Sequence, residues 1–227
     1  MDEQHFFVDV SGDRNPIHID PIAARRSQAG GLIVHGVHTF LRVLDCYAKR
    51  TTSDETISRI KTRFNKPVLI DDTVSVFDVS TSRRICLRVE KNGLNLASIV
   101  LEKGSRHNTT VMASDISATP VSSPRDIPLT EIAKCAGAIP IPDSAEAIKT
   151  KFPNAVEWLG IDAILNIVGL STLVGMECPG LHSLFSGFDV NLRPEKIGAN
   201  LLYRVNQLQE RYRLTKISVE CPSLYGT

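Results

Sequence analysis

The chain lacks most of the features that mark specialised protein classes. Its 26 basic and 25 acidic residues nearly cancel, leaving a net charge of +1. Nucleic acids and membrane surfaces call for clustered Lys and Arg well beyond neutrality, so neither is an expected partner. The five cysteines, Cys46, Cys86, Cys135, Cys178 and Cys221, are odd in number, widely spaced and never arranged as C-x-x-C. That spacing suggests neither a disulfide framework nor a zinc site, and the cysteines read as reduced, mostly buried thiols. No apolar run is long enough to span a bilayer, and the acidic, polar start Met1-Asp2-Glu3-Gln4-His5 lacks the character of a signal peptide. The expected location is cytoplasmic. With 42% hydrophobic and 22% charged residues over 227 positions, the composition describes a globular protein with one large domain or two small ones.

What is present begins with Ser11-Gly12-Asp13-Arg14-Asn15-Pro16-Ile17-His18-Ile19-Asp20. Gly12 frees the backbone and Asn15-Pro16 biases Asn15 away from the right-handed helical region, so the segment should turn sharply. Such a turn can converge Asp13 and His18 on one point. Taken alone, the pair is more readily explained by turn-forming Asp and Asn with an incidental His. The context is the run Gly30-Gly31-Leu32-Ile33-Val34-His35-Gly36-Val37-His38-Thr39-Phe40-Leu41, which opens on paired glycines and carries His-Gly ahead of an apolar stretch.

Together these stretches resemble the MaoC-like dehydratases, the group containing the (R)-specific enoyl-CoA hydratases, in which S-G-D-x-N-P-x-H-x-D precedes an apolar segment with H-G. The resemblance continues through Arg63-Phe64-Asn65-Lys66-Pro67-Val68 to Asp71-Asp72, with Asp71 standing where the family usually has Gly. It implies a hot-dog fold, an α+β arrangement in which an antiparallel sheet wraps a central helix.

Periodicity gives the same outline. Apolar residues from Gly31 to Lys49 recur at helical spacing on most sides, predicting a buried helix. Alternating and β-branched runs follow at 57–64, 74–79, 85–89 and 96–101, and Asn92-Gly93 between the last two is a strong hairpin signal. Residues 114–142 are rich in Pro, Ser and Thr and read as a linker, with a short helix at 129–136. The first pattern then returns: a helix from Val156 to Met176 and strands at 181–192, 201–208 and 214–221. The expected organisation is a double hot-dog, with a catalytic unit over 1–113, a linker over 114–142 and a second, non-catalytic unit over 143–227. That second unit lacks the Asp13–His18 loop and shows only about three strands, so it is expected to be incomplete.

Adding water across an enoyl thioester requires a base for the water, a proton donor for C2 and stabilisation of the enolate-like oxygen. The resemblance assigns the first two tasks to Asp13 and His18 and the third to the backbone N–H of Gly36. A helix N-terminus favours developing negative charge independently of any resemblance. Asn15, Ser11, Asp20 and His35 are candidate supporting or substrate-binding residues, while His38 at helical spacing faces the packed interior. No metal and no redox cofactor are expected; coenzyme A or an acyl carrier protein enters as part of the substrate. Arg59, Lys61 and Arg63, or Arg25 and Arg26, could meet coenzyme A phosphates, and a solvated sheet face explains the strand stripe equally well. His182 reads as a surface or interface residue. The expected partners are the acyl thioester and further copies of the chain joined through hot-dog sheets. The leading reading is a hydratase or dehydratase interconverting trans-2-enoyl and 3-hydroxyacyl thioesters. The alternatives are a hot-dog thioesterase and a non-catalytic thioester-binding or partner subunit.

Overall fold

The structure, a computed structural model, describes residues 3–51, 55–107, 118–194, 198 and 200–227. Residues 114–117 of the expected linker therefore lie outside it. Helix α1 (Glu3–Ser11) leads into two short helices, α2 (Pro16–Ile19) and α3 (Pro21–Arg26), and then α4 (Gly36–Ala48). Strands β1 (Ile57–Phe64), β2 (Ser75–Asp78), β3 (Arg84–Lys91) and β4 (Leu94–Lys103) complete the first half. Helix α5 (Leu129–Ile132), strand β5 (Ala136–Pro140) and helices α6 (Ala145–Lys151), α7 (Pro153–Leu159) and α8 (Ile161–Thr172) follow. A π-helical turn (Leu173–Glu177) extends α8, and β6 (Gly187–Leu192), β7 (Asn200–Gln209), β8 (Leu214–Glu220) and β9 (Leu224–Gly226) end the chain.

The described strands form one nine-stranded antiparallel sheet in the order β2-β3-β4-β1-β6-β9-β8-β7-β5. The halves occupy opposite ends of this sheet and meet where β1 pairs with β6, Ile60 opposite Val190 and Thr62 opposite Phe188. Period-2 alternation decides the faces: Ile60 and Thr62 are buried beneath the sheet, while Arg59, Lys61 and Arg63 lie above it. The β3–β4 hairpin turns at Asn92-Gly93, with φ values of 51° and 77°. Both lie in the left-handed region, as the Asn-Gly signal requires.

Beneath the sheet, α4 presents Val37, Phe40, Leu41 and Leu44, all fully buried, in one core with Ile164, Ile167 and Val168 of α8. The helix expected from Val156 to Met176 is not continuous. Gly160 takes φ 87°, a left-handed conformation open to glycine, and α7 is bent by 111° from the helical stretch that follows. Two strands, β5 and β9, occur where the sequence shows no strand signal: β5 falls within the expected linker, and residues 143–227 contribute four strands, β6 to β9, rather than three. β5 is an edge strand of mixed burial (AGAIP) and β9 is three residues long, so neither carries an alternating pattern long enough to read. Among the described residues, no single helix is long and apolar enough to cross a membrane.

Candidate active site

The turn between α1 and α2 is ordered by its own polar residues. Ser11 Oγ donates to the Phe7 carbonyl at 2.6 Å and accepts the Asp13 N–H at 3.0 Å. Asn15 is the N-cap of α2, its Oδ1 accepting the Ile17 N–H, and Pro16 occupies the first helical position, where a missing N–H costs nothing. Asp20 in turn caps α3, accepting the N–H groups of Ile22 and Ala23. Asp20 is exposed and outside the cavity described below; its capping role accounts for its contacts.

The capped turn buries Asp13 and His18. Nδ1 of His18 lies 2.9 Å from the Ile33 carbonyl, which can only accept, so Nδ1 carries the ring proton. In the neutral ring Nε2 is then left as a basic lone pair. Gln4 of α1 donates to the carbonyls of both His18 and Ile33, tying α1 to this strut. The Asp13 carboxylate accepts the Asn15 N–H at 3.2 Å on Oδ1 and the Ser171 hydroxyl at 2.7 Å on Oδ2. Burial pushes the Asp13 carboxyl above its ordinary range, opposed by His18 and by the Ser171 and Asn15 donors. Burial likewise pushes His18 below its ordinary value, opposed by Asp13 and the Ile33 carbonyl. Both shifts narrow the gap between the two groups, which suits a pair that exchanges protons.

His35 lies behind this pair. Its ring stacks on His18 with centroids 3.6 Å apart, and its Nε2 donates to the Asp13 carbonyl at 3.1 Å. It has no exposed surface, and burial, followed by the neighbouring His18, drives its pKa well down. Ligand atoms of Asp13, His18 and His35 fall within 4.8 Å of one another. Stacked imidazoles aim their in-plane lone pairs side by side rather than at a common point, so the donor set fits a metal ion poorly. His38, one turn further along α4, stacks on Phe7 in the interior, as expected.

Asp13, Asn15, His18 and Gly36 share the wall of a cavity of about 350 Å³. Gly36 opens α4, whose N-cap His35 offers no side-chain cap, and the first intrahelical bond runs from the Thr39 N–H to the His35 carbonyl. The N–H groups ahead of it are the orphan donors of a helix N-terminus. Any side chain at Gly36 would meet the Phe64 ring, whose nearest atom lies 2.7 Å from an ideal Cβ. The cavity adjoins a larger groove of about 950 Å³ that reaches the gap between β6 and β8, and the two share Gln28, Val174 and residues 183–186. The chemistry-bearing side chains gather in the smaller one.

Sequence reasoning missed what the second half brings. Ser171 of α8 donates to Asp13, Thr172 donates to the Ser11 carbonyl, and the Asn15 amide reaches the carbonyls of Gly175 and Gly180 at 3.2 and 3.3 Å. A side chain at Gly175 would place Cβ 2.2 Å from Asp13 Oδ1. The one available signal was the Ser171-Thr172 pair inside an apolar helix, since buried hydroxyls need partners, although nothing local names the partner. Arg59 and Lys61 ion-pair with Asp189 across the β1–β6 seam, while Arg63, Arg25 and Arg26 are exposed. His182 is on the surface beside Asp126.

Residues 2–94 match the family model described as MaoC like domain. Among solved structures, a MaoC-like dehydratase shares the architecture over 99% of this chain and 91% of its own, with a TM-score of 0.59 and 11% identity. The chain thus has a hot-dog-type α+β fold, with helices packed against one antiparallel sheet. The R-hydratase PhaJ1 from Pseudomonas aeruginosa is 27% identical over 51% of this chain and 83% of its own, with a TM-score of 0.34. HtdX from Mycobacterium tuberculosis covers 99% of this chain and 94% of its own at 9% identity and a TM-score of 0.46. No curated protein matches the sequence.

Proposed function

We propose that the protein is a hydratase or dehydratase that interconverts trans-2-enoyl and 3-hydroxyacyl thioesters carried by coenzyme A or an acyl carrier protein. The observation that carries this reading is the meeting of the Asp13 carboxylate and the His18 ring on the wall of a cavity that also contains the N-terminus of α4 at Gly36. Both Asp13 oxygens accept hydrogen bonds, which favours the ionised form, and the His18 ring holds its proton on Nδ1 against Ile33. Asp13 and His18 together would take one proton from a water as it attacks C3 and return one to C2. The thioester oxygen, which gains negative charge between those events, would sit against the Gly36 N–H. The reverse direction uses the same groups by microscopic reversibility.

In the double hot-dog arrangement we infer, the second half completes the cavity and adjoining groove that receive the acyl and pantetheine portions, giving one active site per chain. Ser11 supports the Asp13 backbone, and Asn15 holds the turn against the second half. His35 acts from behind His18.

The test is a spectrophotometric assay with short and medium trans-2-enoyl-CoA, following loss of the conjugated thioester absorbance while free thiol is measured in parallel. Loss of absorbance without thiol release is the expected result. Thiol release would replace this reading with a thioesterase, and silence in both channels with coenzyme A and carrier-protein substrates would replace it with a binding role.

A further inference from the structure

The contact between Asp13 and the second half of the chain is specific in a way that packing alone does not require. Ser171 is buried in α8, and its hydroxyl goes to one atom, Asp13 Oδ2, at 2.7 Å. Two residues past Ser171, where α8 ends, the backbone widens into the π-helical turn, a distortion that recurs at functional sites. The widening brings Gly175 against the same carboxylate, where no side chain would fit. The Gly175 carbonyl also accepts the Asn15 amide and Thr172 at the end of α8 donates to the Ser11 carbonyl, so the second half holds the loop on both sides of Asp13. Ser171 lines the cavity that Asp13 and His18 share.

We infer that Ser171 is a positioning residue for the acid–base pair, supplied by the half of the chain that carries no acid–base loop of its own. Its hydroxyl holds Oδ2 in place, so that Asp13 presents a fixed edge to the water, and it stabilises the ionised carboxylate in a site where burial opposes charge. The inference rests on the hydratase reading of the site. The titratable groups facing Asp13 are His18 of α2 and His35 at the head of α4. The groups that reach it or its loop from α1, α8 and the π-helical turn are Gln4, Ser11, Ser171, Thr172 and Gly175, none of which titrates. Removing the Ser171 donor should therefore register at Asp13 before any other group.

The test compares Ser171→Ala and Ser171→Thr with the unmodified chain. Ser171→Ala is expected to move the acid limb of the kcat/KM profile up by about one pH unit, the usual worth of a hydrogen bond to a buried charge. It should lower kcat near neutrality by about tenfold and leave KM within about threefold. Ser171→Thr, which keeps the hydroxyl, should restore the limb. A purely structural role would lower melting temperature and leave the limb unmoved, and that result would overturn the inference. The Asp13 carboxyl titration, read by carbon-13 NMR as a difference against Asp13→Asn, separates the two readings. If it shifts in Ser171→Ala while the unmodified chain hydrates no enoyl thioester, the positioning contact stands and the hydratase reading falls. If it does not shift, the inference fails whatever the activity.

Discussion

The loop from Ser11 to Asp20 and the segment from α8 through the π-helical turn build the same site by opposite means. The loop is dense in polar residues, and most of their bonds go to nearby backbone: Ser11 to Phe7 and Asp13, Asn15 to Ile17, Asp20 to Ile22 and Ala23. Such local bonds set the shape of the turn and leave a signature in sequence. The second segment is mostly apolar, and Ser171, Thr172 and the Gly175 carbonyl bond about 160 positions away, to Asp13, Ser11 and Asn15. Shape and orientation have separate origins here. The turn places the carboxylate near the imidazole, and the distant helix bonds one of its oxygens, Oδ2.

The sharpest break in that comparison is chemical. Asp13→Asn and His18→Gln should each lower enoyl-CoA hydration by a factor of about a hundred or more, the usual worth of a positioned acid–base group. Circular dichroism should stay unchanged, because each variant keeps the size of the original side chain. Near-native turnover in either would remove the mechanism proposed here. Next comes Gly175→Ala, which changes nothing in the loop yet inserts a methyl group 2.2 Å from Asp13 Oδ1. The carboxylate must move, and a displacement of that order costs about tenfold to a hundredfold in rate. Stability should fall by about 1–3 kcal/mol from overpacking. Kinetics that match the unmodified chain would show that the second half does not govern the orientation of Asp13.

How much of this was legible in the sequence follows from the same contrast. Helix α4, the β3–β4 hairpin and the capped turn rest on signals confined to a few neighbouring residues; the hairpin and the turn lie where those signals put them, and α4 begins at Gly36 rather than at Gly31. Strands β5 and β9 went unread because one is a short edge and the other three residues long, held by pairing that sequence does not display. Gly160 was visible as a residue, but its φ of 87° and the resulting bend depend on how α7 and α8 pack against α4. Ser171 was hidden for the same reason. The stripe of Arg59 and Lys61 illustrates the converse, a pattern with two readings that the structure resolves by supplying Asp189 from the other half.

A smaller effect concerns the histidines packed around the loop. Burial lowers the pKa of His38 from its ordinary 6.5 to about 4, opposed by Glu3, and lowers His18 and His35 as well. A histidine whose folded pKa is depressed takes up its proton more readily when unfolded. The stability linked to its neutral form is complete above about pH 6.5 and is lost as pH falls toward the folded value. Asp13 works in the opposite sense, since its raised pKa makes the folded state the better proton acceptor and its contribution declines as pH rises. With three histidines against one carboxyl, the melting temperature should drop between pH 6.5 and 4. His38→Phe keeps the ring stack on Phe7 and removes one titration, so it should flatten that slope, as thermal unfolding measured at half-unit pH steps would show. An unchanged slope would place the acid lability in His18 and His35, inside the site itself.

The smallest effect lies on the outer face of the seam that joins the halves. Arg59 meets Asp189 with two bonds, Nε to Oδ1 at 2.7 Å and Nη2 to Oδ2 at 2.8 Å, and Lys61 approaches the same carboxylate at 3.5 Å. Bidentate geometry favours this pair, but the Arg59 side chain is 39% exposed, so solvent and salt screen it. A double-mutant cycle with Arg59→Gln and Asp189→Asn should give a coupling of about 1 kcal/mol or less, and less again at high salt. The inner face of the same strands should carry far more, because Ile60 and Val190 are fully buried there. Val190→Ala should cost about 2 kcal/mol or more through the cavity it leaves. If the ion pair instead proved worth more than the buried contact, the seam would be held by charge, and salt alone should then weaken the grip of Ser171 on Asp13. If the order stands as expected, hydrophobic pairing holds the two halves in register and the hydroxyl contact should persist across ionic strength.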